Sequence, residues 1–114
     1  KLIREAFLTY PGMIAGKERV DTVIMESAPG KFISKIGGEA VLGFGLVKEK
    51  MALAIKIEDG ANRPMLPVIV GSMENIGLDI NNLPKLSKLK QEPVYNNLRY
   101  QAGVVKPVFK FIQK

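Results

Sequence analysis

The sequence predicts an α+β fold, an antiparallel sheet flanked by helices, on three observations. The stretch from Pro29 to Gly60 holds three apolar segments separated by short turn signals, which is the pattern of strands. The last two segments are joined only by Lys48-Glu49-Lys50, short enough for a hairpin and so for antiparallel neighbours. On either side of this stretch apolar residues recur at helical spacing, without the regular strand–helix alternation of a parallel sheet.

Each element has its own local reason. Leu2, Ile3, Ala6, Phe7 and Tyr10 set an opening helix that should stop at Tyr10-Pro11-Gly12, since proline disfavours helix in the residue before it. A loop through Gly16 follows, then a short helix from about Asp21, whose carboxylate suits a helix N-terminus. Val20, Val23 and Ile24 give that helix an apolar stripe, and Pro29-Gly30 ends it. Strands are expected near 31–36, 40–47 and 51–58. Asn62 reads as the cap of a third helix, with Pro64 and Pro67 near its first turn, where a missing amide donor costs least. Its stripe is Met65, Leu66, Ile69, Met73 and Ile76, and Gly77 is its stop. Asn82 should cap a short helical turn over 83–89, and 93–111 reads as two strands around a turn near Asn96 to Arg99.

The strand faces carry the most information. In the middle strand Ala40, Leu42, Phe44 and Leu46 share one face, while Val41, Gly43, Gly45 and Val47 share the other. The next strand repeats this asymmetry, with Met51, Leu53, Ile55 and Ile57 opposed to Ala52 and Ala54. Glycine weakens a strand unless something approaches its backbone closely, so the small face is expected to receive a tightly packed helix. The short helices of this chain do not suffice to cover both faces, and that helix is expected to come from elsewhere.

Composition removes most catalytic classes. The 114 residues contain neither cysteine nor histidine, so there is no disulfide framework, no thiol nucleophile and no histidine base or metal ligand. A net charge of +6 permits an acidic partner without establishing one, and no nucleic-acid role is expected of it. No signal-peptide pattern opens the chain and no run approaches the roughly 18 apolar residues of a membrane span, so the expected location is the cytoplasm. The chain opens at Lys1 inside an uncapped helical pattern, and is expected to be a portion of something longer.

Four groups of residues carry a resemblance. They are Gly16 with Arg19-Val20-Asp21-Thr22; Lys35-Ile36-Gly37-Gly38-Glu39-Ala40; Ala54-Ile55-Lys56-Ile57-Glu58-Asp59-Gly60; and, in the tail, Pro93, Val94, Asn96, Gly103 and Pro107. Together they resemble the C-terminal portion of the L-asparaginase II family, the thermolabile rhizobial-type asparaginases. The family pattern runs Gly, Arg-x-Asp-Thr, Lys-x-Gly-Ala-Glu-Gly, Ala-x-Lys-x-x-Asp-Gly and a closing Pro-Val-x-Asn … Gly-x-x-x-Pro hairpin. The chain departs from it at Ala40 and Arg99, where glycine is usual, at Tyr10, where many members carry histidine, and at Pro64, where alanine is usual.

The resemblance implies a serine-dependent amidohydrolase, with a fold like the β-lactamases, transpeptidases and serine glutaminases, that converts L-asparagine to L-aspartate and ammonia. A Ser-x-x-Lys pair would supply the nucleophile, and a second lysine on a strand would lie beside it. A lysine crowded by another cation and desolvated can serve as a base near neutrality. The strand lysine maps onto Lys35, while Gly37, Gly38 and Glu39 become substrate-binding or site-orienting candidates. The Ser-x-x-Lys pair and a cysteine-bearing zinc site belong upstream by the same resemblance. No cofactor is expected in these residues, and the chain alone should not hydrolyse anything. The implied partners are an amino-acid amide, the upstream segment and, compatibly, a second copy in a homo-oligomer.

Taken by residue chemistry alone, Lys35 is a surface lysine at a strand end, the usual place for one. Glu39 holds the turn, orients Lys35 or is simply a solvated carboxylate. Asp21 and Arg19 suit a structural ion pair, Asp59-Gly60 a turn, Arg63 a surface position at a helix start, and Lys85, Lys88 and Lys90 a solvated basic face. Met13, Met51, Met65 and Met73 read as core fillers. The reading from a different class is a non-catalytic binding or assembly module whose small sheet face docks a partner helix, on the expectation that the chain lacks histidine, cysteine and any Ser-x-x-Lys pair.

Overall fold

The computed structural model of the chain describes residues 1–112. It is α+β, with five α-helices, two short 3-10 turns and five strands in two antiparallel sheets among the described residues. The chain divides into two compact units, Lys1–Asn62 and Arg63–Lys114.

In the first unit, α1 (Leu2–Thr9), α2 (Gly12–Ala15) and α3 (Val20–Ser27) precede β1 (Phe32–Ile36), β2 (Val41–Leu46) and β3 (Met51–Lys56). The sheet order is β1-β2-β3, so the most apolar strand is central, as its sequence requires. Register places Lys35 opposite Gly43 and Gly43 opposite Ala54. It likewise places Ser34 opposite Phe44 and Phe44 opposite Leu53. Residues facing each other across a ladder share a sheet face. Leu42, Phe44 and Leu46 are buried, as are Phe32 and Ile36 of β1 and Ile24 and Met25 of α3, the helix that packs on β1. The Phe32 and Phe44 rings lie 5.2 Å apart and tilted, a favourable aromatic pair at the centre of this core.

Three expectations change here. The segment 12–15 is helical rather than loop. And of the expected stripe Val20, Val23 and Ile24, α3 buries only Ile24, together with Asp21, Thr22 and Met25. The polar pair can turn inward because it finds partners there. Thr22 Oγ1 donates to the Gly16 carbonyl at 2.7 Å, and Asp21 Oδ1 accepts from Ser34 Oγ at 2.9 Å. Asp21 is also not the cap, since the N-cap position falls on Arg19 and carries no side-chain hydrogen bond.

In the second unit, α4 (Met65–Asn75) is followed by α5 (Pro84–Ser87), a 3-10 turn (Lys88–Lys90) and the hairpin β4 (Glu92–Tyr95) and β5 (Gln101–Val105). Met65, Ile69, Val70 and Met73 of α4 are buried with Ile80 and Leu86. Gly77 ends the helix with φ +88°, the left-handed conformation glycine adopts freely. The cap of α4 is Pro64 rather than Asn62, and Asn82 donates to the Asp79 carboxylate instead of capping α5. Arg99, in place of the glycine of the family pattern, sits at φ +62° in the hairpin turn, where Asn96 Oδ1 accepts from the Leu98 and Tyr100 amides. Among the methionines, Met65 and Met73 are core, whereas Met13, on the outer side of α2, and Met51, at the start of β3, are exposed.

Candidate functional site

Lys35 stands on β1, an edge strand, and by register it shares the face of Gly43 and Ala54. That face is open: Val41, Gly43, Ala52 and Ala54 are exposed. A Cβ added at Gly43 would meet nothing nearer than the Lys35 carbonyl oxygen at 3.9 Å, and one at Gly45 only Ile33 at ordinary contact distance. The amine does not lie flat over these glycines. It donates to the Ile36 carbonyl at 2.6 Å and comes within 3.7 Å of Asp21 Oδ2. Asp21 belongs to the α3 side of the sheet, where Ser34 also points, so the lysine side chain turns around the free edge of β1 to reach it. The cation beside Asp21 is therefore Lys35 and not the expected Arg19, which is exposed.

The loop after β1 makes a second structured place. Gly37 and Gly38 are exposed, and the Gly37 amide closes the loop onto the Val41 carbonyl at 2.8 Å. The left-handed residues here are not these glycines but Glu39, at φ +53°, and Ala40, at φ +51°. Glycine is the residue that adopts this conformation without cost, and Ala40 stands where the family pattern has one. Glu39 is held through its backbone: its carbonyl accepts from Lys56 Nζ at 2.8 Å, and its Cα lies against Gly60. The carboxylate nearest the Lys35 amine is Asp21, on another element altogether.

Glu39, Lys56, Glu58, Asp59 and Gly60 line an open concavity of about 400 Å³. Two of the sequence motifs, separated along the chain, thus meet in space at the end of β3. Register could have signalled part of this, because Lys56 pairs with Val41 directly after the Glu39 loop. Asp21 gave a weaker signal, since a buried aspartate one residue from a helix start looks like an ordinary N-terminal carboxylate.

One Ser-x-x-Lys spacing does exist in the chain, at Ser87 and Lys90, contrary to the expectation that the chain has none. Its groups are directed apart. Ser87 Oγ donates to the Pro84 carbonyl at 3.2 Å, and Lys90 Nζ pairs with Glu74 at 2.8 Å. It joins α5 to the 3-10 turn rather than opening a buried helix. Among the described residues no three His, Cys, Asp or Glu side chains come together. No helix of the described residues is long and apolar enough to cross a membrane.

The motifs that meet in this unit are those of a hydrolase family. The chain is a member of the L-asparaginase II family, whose sequence pattern matches residues 1–107. No curated protein matches the chain.

Proposed function

We propose that this chain forms the strand-lysine side of an amidohydrolase active site that converts L-asparagine to L-aspartate and ammonia. The observation that supports it is the position of Lys35, in a chain of this family, at the edge of a sheet face made of Gly43, Gly45, Ala52 and Ala54 and left uncovered. A face this smooth admits a helix at short distance, and a helix carrying the nucleophilic serine and its own lysine would then bring a second amine beside Lys35.

The chemistry is an acyl transfer in two halves. The serine oxygen bonds to the side-chain amide carbon of asparagine, giving up its proton to a neutral amine. The C–N bond then breaks as the leaving nitrogen takes a proton, and ammonia departs. Water attacks the resulting ester, the C–O bond to serine breaks, and aspartate leaves. A lysine can act in both directions only if it exchanges its proton during the cycle, which is the role assigned to the amine pair.

The test uses the complete natural protein. Lys35→Met should lower kcat for ammonia release from L-asparagine by about 10²- to 10⁴-fold, the usual size of a general acid–base contribution. Unchanged turnover would remove Lys35 from the mechanism, and an unmodified protein that releases no ammonia would remove the amidohydrolase reading.

A further inference from the structure

Asp21 is fully buried, and its carboxylate is only half satisfied. Oδ1 accepts from Ser34 Oγ at 2.9 Å, whereas Oδ2 has no hydrogen-bond donor. A buried ionised carboxylate without compensation is costly, and natural proteins pair such groups. The first turn of α3 offers partial help through the helix dipole. Lys35 Nζ, 3.7 Å from Oδ2, is the cation within ion-pair reach. That separation is too long for a hydrogen bond, and the amine spends one of its three donors on the Ile36 carbonyl. Two donors remain on the ammonium and one acceptor on the carboxylate. Ser34 and Lys35 are neighbours on β1 that point to opposite faces, yet both address the same carboxylate across the strand edge.

We infer that Asp21 is the positioning residue of the Lys35 amine: anchored by Ser34, its free oxygen holds the ammonium at the edge of β1, at the border of the open small-residue face. The Arg-x-Asp-Thr element and the Lys-x-Gly-Gly-Glu element are then parts of one device. The first supplies a fixed negative charge and the second the amine that it locates. The catalytic consequence rests on the role proposed above for Lys35, but the physical contact does not.

The contact is tested first, by acylation of the full chain with acetic anhydride and mass-spectrometric rates at each lysine. Asp21→Asn keeps the side-chain shape and the Ser34 contact while removing the charge. It should speed labelling of Lys35 about two- to fivefold relative to the exposed Lys85, the size of an exposed ion pair's contribution. An equal Lys35 rate in both proteins overturns the inference. Should the variant fail to fold, the unmodified chain still decides: raising the salt concentration should speed Lys35 relative to Lys85, and a ratio independent of salt overturns it equally.

The second measurement is a kinetic cycle in the complete natural protein. Asp21→Asn should lower kcat about tenfold with little change in KM, and should cost nothing further once Lys35 is methionine, as expected of two residues acting as a unit. An equal loss in both backgrounds marks Asp21 as merely structural and overturns the inference. If Lys35→Met is fully active while Asp21→Asn still alters Lys35 labelling, the positioning contact stands and the catalytic reading of Lys35 falls.

Discussion

On one face of the three-stranded sheet Leu42, Phe44 and Leu46 are buried with Phe32 and Ile36; on the other, Val41, Gly43, Ala52 and Ala54 are exposed. The same strands make both faces, and alternation along the backbone separates them. What differs is side-chain volume. The bulky face fills its own space and supplies the hydrophobic stabilisation of the first unit. The small face gives up that stabilisation and keeps its backbone approachable. A sheet surface so built is suited to receiving another element, and Lys35 stands where that surface meets the strand edge.

Phe44→Ala, on the closed face, should have the largest effect. Its side chain is 2% exposed and packed against Phe32, so removing the ring should cost about 3–5 kcal/mol. Denaturant unfolding followed by circular dichroism measures it, and a loss below about 1 kcal/mol would mean that the closed face is not a tightly packed core.

Gly71, in α4 of the second unit, offers a glycine of the opposite kind from Gly43. A Cβ there would stand 2.5 Å from Pro107 Cβ and 2.8 Å from its Cγ. A proline ring cannot rotate aside, so Gly71→Ala should destabilise by about 1–3 kcal/mol through overpacking. An unchanged melting temperature would show that the tail, which Asn75 holds by accepting from the Phe111 amide at 2.8 Å, gives way instead.

The smallest change sharpens the contrast most. Gly43→Val on the open face meets only a carbonyl oxygen at 3.9 Å and should alter the stability of the chain by less than about 0.5 kcal/mol, the range of ordinary surface substitutions. A loss of more than about 1 kcal/mol would mean that the face is already filled.

Much of this was legible in the residues. Continuous apolar runs fixed the three strands of the first sheet to within two residues at each end, and their alternate positions separated the buried face from the small one. Helix α4 was equally plain, because Met65, Ile69 and Met73 follow its period and Gly77 stops it. Less visible were the inward turn of Asp21 and Thr22 and the short helix α2. Periodicity counts apolar residues and cannot register a polar side chain that finds its partner inside.

The sequence by itself determined the strand order along the chain, the division of the sheet into a bulky and a small face, and the family to which the residues belong. Only the tertiary structure decided that the carboxylate beside Lys35 is Asp21 rather than Glu39, and that Glu39 and Ala40, not the two glycines before them, carry the left-handed backbone. The physical reason is the same for both. Local spacing governs which face a side chain takes, whereas the partner of a charge and the path of a loop depend on segments that meet only when helix α3, the edge of β1 and the turn at Gly60 are packed together.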